Sequence, residues 1–304
     1  MLTKRSPLHS RMMWRLTLTE EGNMGLRINT NVSSLNAQRH LAGTKNALDK
    51  SFEKLSSGYR INRAGDDAAG LAISENLRAQ IRGLKQSQRN AQDGVSLVQV
   101  AEGGLNEVSN ILIRLRELSV QAASDTIGPV ERQFLNVEYD QLVSEIDRIA
   151  DVTEFNGTPL LSGTGAILDF QIGIRNDPML DRLSFDASKA DSNTAAIGVN
   201  LTSVADKASA QNSLTAIDSA IMSVSAMRAD FGAIQNRLQS TISNLSIATE
   251  NMSAANSRIR DVDVAEETAE LTKNNVLMQA GTSVLAQANQ STNVALSLLQ
   301  QSLR

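Results

Sequence analysis

Cysteine is absent from this 304-residue chain, and its two histidines are His9 and His40. Disulfides, thiolate metal sites and cysteine nucleophiles are therefore excluded, and a zinc site or a Ser-His-Asp arrangement lacks the residues it needs. A chain without cysteine is compatible with the cytosol, and equally with an exported protein that relies on assembly in place of cross-links. These absences argue against an enzyme, and no cofactor or metal is expected.

Aromatic residues and charge are also scarce. Aromatic residues make up 3% of the chain although 41% is hydrophobic, a mixture that favours thin helical bundles over a thick globular core. A net charge of -4 offers no general surface for polyanions, so no nucleic acid is expected as a partner. No run of 18 apolar residues occurs, so no membrane insertion is expected.

Residues 1–23 differ from the rest of the chain. They contain Trp14, the one tryptophan, and scattered apolar residues that do not form the core of a signal peptide. The residues Glu-Glu-Gly-Asn just before Met24 can be encoded by a purine run that resembles a bacterial ribosome-binding site. We therefore expect translation to begin at Met24 and residues 1–23 to be an extension upstream of the true start.

Apolar residues recur three, four or seven positions apart through most of the chain. This spacing predicts a helix over about 28–57, a long helix ending near Ala122, and a second helix running from Val130 through Phe134 and Val137 to Ile149. The breakers in "SDTIGP", residues 124–129, predict that this second helix folds back antiparallel on the long one.

The middle of the chain changes character at about residues 154–204. "FNGTPLLSG" has the composition of a turn, while "ILDFQIG" and "DRLSF" alternate apolar and polar residues, so we expect one or two small β-hairpins here. Helical spacing returns from Leu214 to Val262. The predicted fold is mainly α: a long antiparallel helical bundle or coiled coil with both termini paired and a small β-hairpin region in the middle.

The last amphipathic segment carries no charged residue between Asn274 and Leu303. Its polar face consists of Gln, Asn, Ser and Thr, so copies of the helix can pack together without burying charge. The alternative is an unstructured polar tail. The two interpretations are compatible if the tail is unstructured in the monomer and folds into a helix on assembly. Apolar helices at both chain ends predict self-association, and contacts that do not close into a ring produce filaments.

Residues 58–70, "GYRINRAGDDAAG", interrupt the helical pattern and suggest either an active-site loop or a joint. Adjacent carboxylates point about 100° apart on a helix, whereas acid-base catalysis needs them to converge. The glycines fit neither GxxxxGK[ST] nor GxGxxG, and an aspartate here can cap the following helix. The arginines can pair with those aspartates or with a neighbouring subunit. We therefore expect a joint between two domains, formed by Gly58, Arg60, Arg63, Gly65, Asp66, Asp67 and Gly70.

Several segments closely resemble bacterial flagellin. They are "INTNVSSLNAQRHL" (28–41), "LSSGYRINRAGDDAAGLAISENLRAQIRGL" (55–84), "RNAQDGVSLVQVAEGGLNEVSNILIRLRELSVQAA" (89–123), "EIDRIADVTEFNG" (145–157) and "NMSAANSRIRDVDVAEETAELTKNNVLMQAGTSVLAQANQ" (251–290). The resemblance covers nearly everything after Gly25.

The resemblance implies a subunit of the extracellular flagellar filament that is exported unfolded by the flagellar type III system. It implies an export chaperone, the filament cap and the hook-filament junction protein as partners. Residues 24–66 and 265–304 would form the inner tube and residues 67–264 the outer wall. The polymerisation seam would contain Leu41, Leu48, Leu55, Leu277, Val284, Leu285 and Leu298.

The family's innate-immune receptor site maps onto Arg114 and Leu118 in "IRLRELSVQ" and onto Glu138, so the resemblance also implies recognition by a host Toll-like receptor. Leu118 is equally explained as a seam residue. Two other functions compete with a filament subunit. One is a hook-filament junction protein of the same superfamily, and the other is a secreted enzyme or effector that uses residues 58–70 as its site.

Overall fold

A computed structural model describes residues 30–302 of the chain. The extension at residues 1–23 and the predicted helix start at Ile28 lie outside the described residues. Contacts divide the chain into two compact units. Unit 1 combines Met1–Asn62 with Val262–Arg304, and unit 2 is Arg63–Asp261. Each unit is built around one long antiparallel helix pair.

Unit 1 contains helix α1, Val32–Ser57, and helix α6, Val264–Ser302. The Asn31 side chain begins α1 by accepting a hydrogen bond from the Ser34 amide at 3.0 Å. Gly58 ends it with a φ of 74°, a left-handed conformation that glycine adopts without steric cost. The predicted end of the first helix is confirmed.

Unit 2 contains helices α2, Ala68–Ala122, α3, Pro129–Val152, and α5, Lys207–Arg260. Helices α2 and α5 run antiparallel. Arg116 on α2 pairs with Asp218 on α5 at 2.7 Å, and Glu75 near the start of α2 pairs with Arg260 at the end of α5 at 2.5 Å. The Arg132 guanidinium holds the turn between α2 and α3 by donating to two main-chain carbonyls.

The segment between α3 and α5 contains two antiparallel hairpins, as predicted. Strands β1, Glu154–Phe155, and β2, Thr158–Pro159, form the first. Strands β3, Ile167–Gln171, and β4, Arg182–Asp186, form the second. A 3-10 turn and the short helix α4, Thr194–Ile197, complete the segment. The Asp147 carboxylate of α3 fixes α4 by accepting bonds from the Thr194 amide and hydroxyl.

The core of unit 2 lies between α2, α3, α5 and the hairpins. Phe185 of β4 and Phe231 of α5 meet there with ring centroids 5.3 Å apart. The Tyr139 hydroxyl donates to Thr202 Oγ1 at 2.5 Å, and burial raises the pKa of Tyr139. Within the described residues, the fully buried leucines of α2 are Leu105, Leu112, Leu115 and Leu118.

The predicted second helix is confirmed as α3, but its apolar residues do not share one environment. Val130, Phe134 and Val137 are between 62% and 71% exposed. The face that enters the core instead contains Tyr139, Ile146 and Ala150. Helix α3 therefore carries two apolar stripes, and residues 30–302 cover only one of them. Over residues 30–302 no helix is long and apolar enough to span a membrane.

Candidate functional site

The first half of the predicted joint, residues 58–62, belongs to unit 1. The Gly58 amide donates to Lys54 O at 2.9 Å, and the Gly58 carbonyl accepts from the Val262 amide at 3.0 Å. Gly58 therefore ends α1 and ties that end to the segment that begins α6. The Asn62 side chain adds bonds to Ser57 Oγ and Glu53 O, while Arg60 is exposed.

The second half, residues 63–70, belongs to unit 2 and is closed by its two aspartates. Asp66 Oδ2 accepts from the Arg63 amide at 3.0 Å, and the Asp66 amide donates back to Arg63 O at 3.0 Å. Asp67 Oδ1 accepts from the buried Gly70 amide at 2.8 Å and so caps α2. Gly65 is exposed, and the left-handed conformation is found at Gly58 and not at Gly65 or Gly70.

Neither aspartate is arranged for catalysis. Each carboxylate accepts hydrogen bonds from the main chain of its own turn, a role that caps a helix or closes a loop. Within residues 30–302 no group of three or more His, Asp or Glu side chains could hold a metal ion. The two aspartates of residues 63–70 thus close the turn and cap the helix that follows it.

The two helices of unit 1 meet in an antiparallel register. Asn31 Nδ2 donates to Ala288 O at 2.8 Å at one end, and Lys54 Nζ pairs with Glu267 at 3.2 Å at the other. Between them, the Leu41 side chain lies against Gly281, where a Cβ would stand 3.0 Å from Leu41 Cδ1. These contacts fix which residue of α1 faces which residue of α6.

Three of the four buried side chains described for this helix pair are polar. Among the described side chains of α1 and α6, the buried ones are Ser34, Leu48, Ser51 and Asn274. Among the described residues, the buried Asn274 Nδ2 donor finds no hydrogen-bond partner. A contact of this kind gains less from the hydrophobic effect than a wholly apolar seam would.

Many of the large apolar side chains of unit 1 lie outside that interior. Among the predicted seam residues, Leu48 is buried and Leu41, Leu55 and Leu285 are half-buried. Leu277 and Val284 are 47% and 56% exposed, and the Leu298 side chain lies outside the described residues. Further residues with at least half of their surface exposed are Val32, Leu35, Phe52, Val264 and Val276. The predicted seam therefore contains two sets of residues, one facing the partner helix and one facing solvent.

The residues predicted for receptor recognition lie on α2 and α3 of unit 2. Arg114 donates to Glu138 Oε1 from Nη2 at 2.8 Å and from Nε at 3.1 Å, and to Glu117 at 2.9 Å. The hydrogen bond to Glu138 is the main cause that raises the pKa of Arg114. The side chains of Arg114 and Glu138 are about half exposed, whereas Leu118 is 1% exposed and packs in the core. The structure brings Arg114 and Glu138 together at the surface and places Leu118 beneath it.

Sequence reasoning missed the exposed stripe of Val130, Phe134 and Val137 as a surface. Its spacing of four and three residues predicts a helix but does not show which face of that helix is exposed. The stripe lies on the same helix as Glu138, and an exposed apolar stripe of this kind marks a protein contact.

Comparison with known proteins identifies the family. Residues 28–166 match the bacterial flagellin N-terminal helical region, and residues 214–299 match the bacterial flagellin C-terminal helical region. This chain belongs to the bacterial flagellin family. The flagellin of Halalkalibacterium halodurans is 48% identical over 273 residues, which cover 90% of this chain and 99% of that protein.

Two further comparisons extend this result. The flagellar filament 33 kDa core protein of Treponema phagedenis is 46% identical over 289 residues, covering 90% of this chain and 99% of the relative. A solved putative flagellar hook-associated protein from Vibrio parahaemolyticus aligns with a TM-score of 0.53 at 16% identity, over 64% of this flagellin-family chain and 100% of that chain. At that identity the likeness concerns the fold alone.

Proposed function

We infer that the chain is a structural subunit that polymerises into a bacterial flagellar filament. The observation that carries this inference is the arrangement of unit 1, whose helix pair buries Leu48 together with two serines and one asparagine while many of its large apolar side chains face outward. An arrangement of this kind is complete only when other copies cover the outward face. Membership of the flagellin family, a family of structural proteins, agrees with it.

The two units would contribute differently to the filament. Unit 1 exposes apolar surface on both helices and would form the inner tube, where neighbouring copies bury that surface. Unit 2 has a continuous apolar core of its own and would form the outer wall. Residues 58–70 would then be the joint between tube and wall, with Gly58 ending the tube helix and Asp67 capping the wall helix.

Export and assembly follow from the same proposal. A subunit secreted to the outside of the cell through the flagellar type III channel would travel unfolded, and the partly polar interior of unit 1 suits a segment that orders last. An export chaperone would cover the outward apolar residues of α6 before export. The cap and the hook-filament junction protein would receive the subunit at the growing end.

Truncation and electron microscopy test the proposal. The full chain under salting-out conditions should form long filaments, and a chain ending at residue 289 should not polymerise while unit 2 keeps its thermal transition. Normal polymerisation of the truncated chain would contradict the role given to α6. A junction protein would instead remain monomeric and localise to the hook, which fluorescence microscopy of labelled cells distinguishes.

A secreted enzyme that uses residues 58–70 makes the opposite prediction. Asn in place of Asp66 and Asp67 would abolish turnover and leave filaments intact, whereas we expect filament formation to suffer because the cap on α2 and the turn before it are weakened.

Receptor recognition of the monomer is a second proposal, supported by the exposed pair of Arg114 and Glu138. Ala in place of Glu138 should weaken binding to the ectodomain of a host Toll-like receptor in a surface-plasmon assay and leave the fold of unit 2 unchanged. Equal binding by the unmodified chain and the Glu138 variant would contradict this proposal.

A further inference from the structure

The connection between β1 and β2 is a two-residue turn made by Asn156 and Gly157. Phe155 pairs with Thr158 across it, and φ is 52° at Asn156 and 76° at Gly157, as a type I′ turn requires. Among residues 30–302, Asn156 is the one non-glycine residue with a positive φ. Both turn residues are exposed to solvent.

The Gly157 amide nitrogen is unusually accessible as a nucleophile. Apart from Gly157 and its two chain neighbours, no described residue has a heavy atom within 4 Å of the position that a Cβ would occupy on Gly157. In the part of the chain that the structure describes, this amide donates to no acceptor within hydrogen-bond distance. A reactive carboxamide therefore stands next to a main-chain nitrogen that is neither crowded by a side chain nor held by a hydrogen bond.

We propose that Asn156 is a site of spontaneous covalent modification. The Gly157 nitrogen attacks Cγ of Asn156, a new C–N bond forms, the carboxamide C–N bond breaks, and ammonia leaves with the proton. Water then opens the resulting five-membered succinimide at one of its two carbonyls. The products are aspartate or isoaspartate, and the reaction consumes water alone.

Other asparagines lack one of these conditions. Asn176 lies in the exposed turn between β3 and β4, but the amide that follows it, that of Asp177, donates to Asp181 Oδ2 at 3.2 Å. Asn212 is exposed on α5, where the next main-chain amide belongs to the helical hydrogen-bond ladder. Asn176 and Asn212 therefore serve as internal controls: their side chains are exposed, but the main-chain nitrogen that follows each of them is held by a hydrogen bond.

The two products have different structural consequences. Aspartate keeps the main chain unchanged and tolerates the left-handed conformation, so it adds one negative charge and preserves the turn. Isoaspartate places an extra methylene in the main chain, which a two-residue turn cannot accommodate. The strands on either side are two residues long, so they supply few hydrogen bonds to resist the change.

The disturbance reaches the core through the residues that follow β2. Leu160 and Leu161 are fully buried, and the Leu160 amide donates to Thr153 O at 3.1 Å, just outside the hairpin. Leu161 and Thr153 both lie against Gly104 of α2, where a Cβ would stand 2.7 Å from each side chain. Loss of the turn is therefore expected to lower the melting temperature of unit 2.

The test uses the full chain, incubated over weeks at mildly alkaline pH and analysed by peptide mapping with an isoaspartyl methyltransferase assay. Freeing a hydrogen-bonded amide costs about 0.5–1.5 kcal/mol, so conversion at Asn156 should exceed that at Asn176 and Asn212 by about two- to tenfold. Intact Asn156, or equal conversion at the three sites, would overturn the proposal.

Two variants separate the chemistry from the structure. Asn156→Asp should melt at the temperature of the unmodified chain, whereas the purified isoaspartate species should melt lower. Gly157→Ala introduces a β-carbon beside the attacking nitrogen and should therefore suppress conversion. The φ of 76° at this position disfavours alanine, so the substitution also strains the turn. Conversion of Gly157→Ala at the original rate would refute the assigned nucleophile.

Discussion

The outward apolar residues of α6 allow a quantitative test of filament assembly. Replacing Leu277 and Val284 together by alanine removes about five apolar carbons, each of which contributes about 0.8 kcal/mol when buried. The side chains are 47% and 56% exposed, so about half of that gain remains to be made on assembly. The expected loss is about 2 kcal/mol per subunit, or roughly a thirtyfold rise in critical concentration.

The assay measures the soluble concentration that coexists with filaments after seeding with filament fragments. Alanine favours helices more than leucine or valine, so α6 itself is not weakened by the change. Thr272→Ala with Gln279→Ala is the matched control, because both residues are exposed on α6 at the same spacing and carry little apolar surface. The control should polymerise normally.

Two results would refute the reasoning. An unchanged critical concentration for the Leu277 and Val284 variant would mean that these side chains stay exposed in the filament. A lowered melting temperature of unit 2 in the same variant would mean that the substitutions act through folding. Circular dichroism of the monomer checks this second possibility.

Three further predictions concern unit 2. Leu112→Ala removes a fully buried side chain and should cost about 2–5 kcal/mol in the free energy of unfolding, measured by denaturant titration. Tyr139→Phe removes the hydrogen bond to Thr202 and should cost about 0.5–1.5 kcal/mol in the same titration, and no loss would show that the bond is not formed. The hydrogen bond from Arg260 lowers the pKa of Glu75, so this stabilisation is present at neutral pH and is lost as the pH falls through the lowered value. Glu75→Gln should therefore make stability less dependent on pH on the acid side, and an unchanged dependence would contradict the pairing.

Local signals in the sequence predict most of the secondary structure. Gly58 marks the end of α1 because only glycine enters the left-handed region freely, and Asn156 with Gly157 marks a hairpin because a type I′ turn needs positive φ at both positions. These signals depend on neighbouring residues alone. They therefore predict secondary structure without knowledge of the tertiary contacts.

The choice between two apolar faces could not be predicted in the same way. Periodicity shows that Val130, Phe134 and Val137 share a face of α3, but it does not show whether that face meets α2 or another copy of the chain. Tyr139 and Ala150 are less hydrophobic than those residues and yet lie in the core. The turn between α2 and α3 sets the rotation of the helix, and periodicity carries no information about it.

The surface pair of Arg114 and Glu138 shows the same limit. The residues are 24 positions apart, and their contact depends on the register of α2 against α3. The hydrogen bonds from the Arg132 guanidinium to the carbonyls of Ala122 and Ser124 fix that register at the turn. A motif can name such residues, but only the helical hairpin brings their charges within hydrogen-bond distance.

The polar seam between α1 and α6 has a consequence for calorimetry. The heat-capacity change of unfolding rises with the apolar area that becomes exposed and falls with the polar area. The buried side chains of the seam are Ser34, Ser51, Asn274 and the apolar Leu48, so melting of these helices contributes a smaller heat-capacity change than melting of the apolar core of unit 2. A thermogram of the monomer will be dominated by unit 2. A preparation whose terminal helices have already melted will therefore give an almost normal transition.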